Sequence, residues 1–465
     1  MAASDNNPAT PSGAYAAGSV DRRLIHDVTG GLPAIQAGKE LYLTRWHDED
    51  QGAYDRRLKD AVWTPLFDDI LHGLASKPFS REVGFDGDPP ARIEDMAEDI
   101  DGEGNNLHVF ASRLFKDGIR DKLAGILVDY PIADPEVTTV EAERKANRRP
   151  YFVEVKEADL IAIYREFIGG IEVITHARIR ECEIKRDGWG EEEIERVRVL
   201  EPGKWWLYRK VKGENNREDW IVEAAGLTTL DYVPLVVFET GKVPPLAKIA
   251  RMQVELYRQE NNLKSILSRT AFPLYAANKM TPPPEGEKLT IGPGAVLFGG
   301  AEGEWQILEP AGSSIEQQRA VIEAIKQEMR RLGMQPLLPG TGDITATATA
   351  TESAKAHSWV QEKALALKNV LEEALAMMGD WIGEKVEPEV FVHVDFGVDM
   401  LTGQDDQTIL LMHEQRVISK ETVRDEMKRR GRLAADYDGE EDDALIESEM
   451  EAMMALLPDV APAGG

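Results

Sequence analysis

Apolar residues along the chain change their spacing twice. From Gln51 to Leu74 they stand at Tyr54, Leu58, Val62, Leu66, Ile70 and Leu74, close to one face of a helix. Pro65 lies inside that stretch and, lacking an amide hydrogen, predicts a bend or restart, with Lys77 and Pro78 ending the helix. Shorter helices are predicted around Pro33 to Leu41, over Ile93 to Ile100, and over Leu107 to Gly118 with Val109, Phe110, Leu114 and Phe115 as its apolar face. The run Gly125 to Tyr130 has strand character and stops at Pro131. From Tyr151 to Phe238 apolar and polar residues alternate in places, as in Ile171 to Lys185, Glu193 to Leu200 and Trp205 to Arg209, and Val233 to Phe238 is the last such run. This predicts an antiparallel sheet with one wet face. Trp205 and Trp206 are adjacent in a strand and should face opposite sides, one in the core and the other toward a subunit contact.

Beyond Phe238 the helical period returns. Pro244 and Pro245 open a long helix over Leu246 to Ser268, where a missing amide hydrogen is harmless. Prolines at 273, 282–284 and 293 break the pattern into a small extended insertion. Ser313 or Ser314 is expected to cap a helix through Leu332, with Glu316 completing a capping box to Ser313. Ile315, Ile322, Ile325, Met329 and Leu332 form its narrow apolar stripe. Gly333 ends it, and a loop leads through Gly340, Thr341, Gly342 and Asp343 into the small residues Thr345 to Thr351. A further long helix is expected over about Ser353 to Trp381, a strand over Val390 to Phe396, and helices over Gln404 to Gln415 and Lys420 to Arg430. The stretch past Asp436 is sharply acidic, and the last residues, 460–465, should be loose, as should a small-residue arm over about 1–20.

The 465 residues suffice for two or three structural regions, and an apolar fraction of 42% with 29% charged residues is that of a folded chain. Charge changes the picture more. With 83 acidic against 54 basic residues, the formal net charge is −29, which argues against broad, tight binding to a phosphate backbone. Cys182 is the only cysteine, so no disulfide or cysteine-based metal cluster forms within one chain. Met1 to Tyr15 lacks the basic and apolar segments of a secretion signal, and no uninterrupted apolar run approaches membrane-spanning length.

Candidate chemistry is sparse. Gly340-Thr341-Gly342 imitates a phosphate loop, but Asp343 and Ile344 stand where Lys and Ser or Thr are needed, and the carboxylate repels phosphate. Asp99, Asp101, Glu103 and Gly104 imitate half of a calcium loop, but Phe110 occupies the twelfth position, where a bidentate Glu belongs. The eight histidines, including His176 and His393 in strand-like runs and His413 beside Glu414, never pair on one helical turn, and no nucleophile elbow occurs. Arg251, Arg258 and Lys264 on the first long helix, and Arg319, Lys326, Arg330 and Arg331 on the second, are cations that reach solvent for phosphate contact. They are interleaved with Glu255, Glu260, Glu316, Glu323 and Glu328, a mixed pattern more typical of a solvated face or a subunit contact.

The order of several short blocks resembles the portal proteins of tailed phages. These blocks are Tyr54 to Leu58, Gly73 to Pro78, Asp99 to Gly102 leading to Phe110-Ala111, and Gly125 to Pro131 followed by Arg149-Pro150-Tyr151. Pro244-Pro245-Leu246, Ile315-Glu316, Arg330 to Gly333 and Thr345 to Ala354 continue the set, which covers roughly 38–450. The resemblance implies an α+β portal fold of long helices and a mostly antiparallel sheet. In it, 1–20 is a flexible arm, 21–240 the wing, 241–269 and 311–332 the two stem helices, and 270–310 the clip. The tunnel loop is 333–351, the long wing helix with its return strand 352–400, the crown 401–452, and the flexible tail 453–465. It further implies a ring, usually of twelve subunits, at a capsid vertex of the virion, assembled in the host cytoplasm. Double-stranded DNA passes through it without sequence specificity, and large terminase, head-completion or adaptor protein, and scaffold or major capsid protein dock on it. Thr341, Asp343, Thr345, Thr347, Thr349 and Thr351 then face the channel, and Arg258, Lys264, Arg319, Lys326, Arg330 and Arg331 lie near DNA. The expected chain is not an enzyme, needs no cofactor or metal, and leaves ATP hydrolysis to a separate motor. The alternatives are an assembly adaptor or scaffold without a channel, a hydrolase with a cleft between sheet and helices, and a portal-like fold that is a degenerate prophage remnant.

Overall fold

The computed structural model describes residues 7–131, 148–212, 218–271, 274–278, 304–308, 312–333, 346–394, 396, 403–429, 432–433, 437, 439 and 442–448. Of 269–271, 274–278, 305–308, 312–314, 346–357 and 403–408 it describes the backbone alone. The fold is mixed, with helices and antiparallel sheets, in two compact units, 1–394 and 395–465.

The first unit begins with helices α1 (Gly13–Ala17), α2 (Ser19–Thr29) and α3 (Gly31–Ala37). The expected loose arm is therefore packed from residue 7 onward. Ser12 caps α1 by accepting from the Tyr15 amide at 3.2 Å, and its own amide donates to the Ile161 carbonyl at 2.9 Å. The Tyr15 hydroxyl donates to the Ala158 carbonyl at 2.7 Å, and the Arg22 guanidinium lies 3.6 Å from the centre of the Tyr15 ring. Arg22 also pairs with the buried Glu157 at 2.5 Å. Small-residue composition signals weak local preference, and these tertiary partners override it.

The predicted bend at Pro65 is a full break. It separates α4 (Gln51–Lys59), capped by Asp50, from α5 (Leu66–Ala75), whose Leu66, Phe67, Ile70, Leu71 and Leu74 are all buried. Helices α6 (Ala91–Ala97) and α7 (Leu107–Asp121) follow, the second capped by Asn106. Two sheets form where one was expected. Strands β2 (Leu123–Asp129), β3 (Tyr151–Lys156) and β9 (Leu235–Glu239) make a three-stranded sheet in the order β3-β2-β9. Strands β4 (Leu160–Ile168), β5 (Ile171–Asp187), β6 (Gly190–Glu201), β7 (Lys204–Lys212) and β8 (Glu218–Leu227) make a five-stranded antiparallel meander. One apolar cluster joins the two, with Leu127, Val155 and Leu235 from the first against Leu160, Ala177, Ile179 and Leu200 from the second. Alternation along a strand marks a buried face but not which sheet covers it.

Trp205 and Trp206 do face opposite ways. Trp205 packs on the cluster between the sheets, and Trp206 joins Tyr208 and Trp220 over Ile161, Val197 and Val199 on the far face, where Ala9 and Tyr15 also sit. Both indoles therefore have partners within the chain. Cross-strand ion pairs join β5 and β6 beside the buried Val197 and Val199, Arg196–Glu183 at 2.6 Å and Arg198–Glu181 at 2.5 Å.

The C-terminal part of this unit holds α8 (Ala247–Ala271), β10 (Leu274–Asn278), β11 (Glu304–Leu308), α9 (Gly312–Leu332) and α10 (Ala346–Ile382). Helix α9 starts at Gly312, so Ser313 lies inside the first turn and not ahead of it as a cap. Helix α10 starts at Ala346, earlier than expected, because alternating Ala and Thr contain neither Gly nor Pro to stop a helix growing from the stronger segment behind them. The strand expected over Val390 to Phe396 shrinks to β12 (Val390–Phe391), paired with β1 (Gly84–Phe85). In the second unit, α11 (Gly403–Glu414) and α12 (Lys420–Arg429) match the predicted pair closely, and Arg424 holds Asp443 at 2.5 Å. No helix among the described residues is long and apolar enough to cross a membrane.

Candidate functional site

The segment that stands apart is the hairpin made by α8 and α9, with the antiparallel pair β10 and β11 between them, Leu274 opposite Leu308 and Asn278 opposite Glu304. The helices run antiparallel. Gln318 meets Gln259, donating to its carbonyl at 3.4 Å. Burial falls along the hairpin. At its base Ile249, Ala250, Val254, Leu256 and Tyr257 on α8, and Met329 on α9, are buried. Further out Leu267 is 38% and Val321 46% exposed, although Ile322 remains buried.

Two buried amides anchor the base. Gln253 accepts from the Phe67 amide at 3.0 Å and donates to the Thr64 carbonyl at 2.7 Å. Asn261 accepts from the Val62 amide at 2.8 Å and donates to the carbonyls of Val62, at 3.2 Å, and Tyr257, at 2.6 Å. They satisfy the segment around Pro65, whose backbone leaves both flanking helices and needs partners. Trp63 packs edge-on to Tyr257 at 5.8 Å, and burial pushes the Tyr257 phenol up to about 12. Sequence reading missed both amides. Their signal was a polar residue recurring on the stripe that holds Ala250 and Tyr257.

The predicted cations are mostly engaged within the chain. Arg258 donates to the carbonyls of Tyr42, at 2.8 Å, and Leu41, at 3.1 Å. Lys264 donates to the Asp60 carbonyl, and Lys326 pairs with Glu260 at 2.8 Å. Arg331 pairs with Glu328 at 2.7 Å, Arg330 is half-buried and Arg319 is exposed. Lys264 and Lys326 flank one open groove of about 560 Å³ on the side of the hairpin, with Val62, Leu263, Leu267 and Ile322 as its apolar floor. Of the predicted loop residues, Thr341, Asp343 and Thr345 lie outside the described residues. Thr347, Thr349 and Thr351 lie on the backbone of α10, and their side chains are outside the description.

The other motifs resolve into structural roles. Asp101 accepts from the Glu103 and Asn105 amides, the Asn105 side chain and Arg113, while Asp99 accepts from the Gly104 amide and Arg149. Phe110, in the closing position of the half calcium loop, is fully buried against Phe152. Among the described residues, no group of three or more His, Cys, Asp or Glu is placed to hold a metal ion. Burial works against ionising Asp101, but its hydrogen bonds from Asn105, Glu103 and Arg113 prevail and hold its carboxyl below the usual range. A folded-state pKa below the unfolded one stabilises the fold above the ordinary aspartate value of about 3.9, and the contribution vanishes as pH falls through the depressed value. Asp101→Asn is therefore expected to lower stability at pH 7, with the difference from the parent narrowing in urea unfolding repeated below pH 3. A gap that stays constant with pH would rule out the ionic contribution.

Residues 245–382 match a family model described as a domain of unknown function, DUF4055. None of the curated proteins matches the chain. Among solved structures, a chain from the virion of a native gene transfer agent particle aligns over 83% of this chain and 96% of its own, at 13% identity and a TM-score of 0.42. A chain from the neck of the native particle aligns over 78% and 89%, at 12% identity and a TM-score of 0.41. One from the neck of the empty particle aligns over 88% and 98%, also at 12% and 0.41. At these values the likeness does not establish a shared function. The chain is thus similar, at low identity, to components of such particles, and its matched family region spans the hairpin and all of α10.

Proposed function

We propose that this protein is the subunit of a portal-like ring, a non-catalytic conduit for double-stranded DNA at a capsid vertex and a docking platform for terminase and head-completion proteins. The observation that carries the reading is the α8–α9 hairpin with its partly unfilled apolar flank. A single chain leaves Leu267 and its neighbours in an open groove, and side-by-side copies of the same hairpin would fill it. The ordered sequence blocks point the same way. In this reading the hairpin is the stem, the β10–β11 pair belongs to the clip, the two sheets belong to the wing, and 403–448 belongs to the crown. The net charge of −29 suits a conduit, since DNA must slide and a dense cationic lining would hold it. Arg319 is the exposed candidate for a salt-sensitive contact, whereas Arg258 and Lys326 serve first to brace the hairpin.

Native mass spectrometry with negative-stain imaging tests the reading, and a closed ring of about a dozen copies with an axial hole is expected. Leu267→Glu is expected to weaken ring assembly at least about tenfold while the helical circular dichroism stays that of the parent, because the residue lies on the groove and not in the core. A monomer that scaffold and capsid protein both fail to assemble would end the conduit reading. A ring unchanged by Leu267→Glu would remove this groove from the interface.

A further inference from the structure

A second groove, of about 700 Å³, runs between β9, the β4–β5 hairpin and α10. Among the described residues, strand β9 is bonded to β2 on one side only. The Thr240 amide donates to the Lys122 carbonyl at 2.8 Å and the Val128 amide to the Pro234 carbonyl at 2.9 Å, and the register between them pairs Phe238 with Ala124 and Val236 with Ile126. In an antiparallel ladder this spends the even-numbered residues of β9 on β2 and turns the amide and carbonyl of Val237 outward. Residues from both faces of β9, Val236 and Phe238 as well as Leu235 and Val237, line the groove, so the groove follows this unpaired edge.

Its walls are apolar and its rim is acidic. Ile171, Ile174, Val370 and Met377 contribute the apolar walls, and Ile171 with Phe167 and Ile168 at the hairpin tip are 58–77% exposed. Gly169 and Gly170, both with positive φ, make the tight turn that carries this tip. The rim holds Glu172, Glu239, Glu373 and Asp380 against one cation, Arg165, which already pairs with Glu239. Asp380 accepts from the Tyr232 hydroxyl at 2.6 Å. Among the described residues no cation pairs with Glu373, and burial pushes its carboxyl up.

We infer that β9 accepts an extended segment of a separate protein, added as a fourth strand, in which apolar residues alternate with lysine or arginine. An unpaired strand edge recruits a strand through its main chain, and pockets on either side select alternate side chains. The rim selects cations. A chain with a net charge of −29 offers the rim a largely repulsive surface of its own, which favours a basic partner over a second copy.

The probe is a labelled nine-residue peptide of alternating lysine and valine, titrated into the full-length chain by fluorescence anisotropy, with the alternating glutamate–valine peptide as control. Saturable binding of the lysine peptide is expected, weakened by salt, with the glutamate peptide inert. Hydrogen exchange read at single residues should slow at the Val237 amide and leave Phe238 as it was. Val237→Pro removes the outward donor at a position where an edge strand tolerates proline, and should weaken binding about tenfold. Glu373→Gln should weaken it by about threefold and reduce the salt dependence. Equal binding of both peptides, unchanged exchange at Val237, or full binding by Val237→Pro would overturn the inference. Self-association of the parent chain that Val237→Pro abolishes would place a second copy on this edge and overturn it equally.

Discussion

Phe238→Ala is expected to lower the stability of the 1–394 unit by about 3–5 kcal/mol, read as a fall in the urea midpoint with little change in slope. Phe238 is completely buried where β9 meets α7 and stacks on Phe115 with ring centres 5.7 Å apart. The ring fits because residue 118 is glycine. A Cβ there would lie 2.4 Å from the Phe238 Cδ1, so the ring or the helix would have to shift. Removing the ring leaves a void bounded by a helix and two strands, which are too constrained to collapse into it. A loss below about 1 kcal/mol would mean that α7 and β9 close the gap, and that the glycine contact is not a constraint. The substitution should also loosen β9 and weaken peptide capture at its edge.

Gln253→Leu should cost about 2–4 kcal/mol, although the two side chains are close in volume. The side-chain amide is the partner of the Phe67 amide and the Thr64 carbonyl, and leucine strands both beneath α8. Each stranded buried group costs about 1–3 kcal/mol. Asn261→Leu acts on the same linker one stretch along, so the double variant should lose less than the sum of the singles, because a linker already released by one change has less to lose from the other. Full additivity would show that the amides act as independent pins. Ring assembly read on Gln253→Leu separates the roles further, since an unseated hairpin base disturbs assembly without touching the groove at Leu267.

Much of the helix content was legible from spacing. The helices over 247–271 and 420–429 lie within a few residues of their predictions, because an amphipathic stripe and a proline or glycine boundary are local facts. The opposed faces of Trp205 and Trp206 were legible for the same reason, since the two-residue period of a strand leaves no other arrangement. The anchoring amides were half legible, as polar residues on an apolar stripe, but their partners around Pro65 are almost two hundred residues away in sequence. The start of α10 was misjudged because alternating Ala and Thr read as a loop when judged without the helix that follows.

Composition and periodicity determined the element types, the helical second half, the acidic surface and the poverty of catalytic motifs, since each depends on residues close together in the chain. Tertiary structure alone decided that the arm from residue 7 packs against the sheet, that the strands divide between two sheets, that Arg258 and Lys326 are bound to their own chain, and that one edge of β9 has no strand partner among the described residues. Each of those outcomes depends on which distant group satisfies a backbone hydrogen bond, a charge or an apolar face. Many partners in one sequence would serve equally well, and the choice falls to the packing that satisfies all of them together.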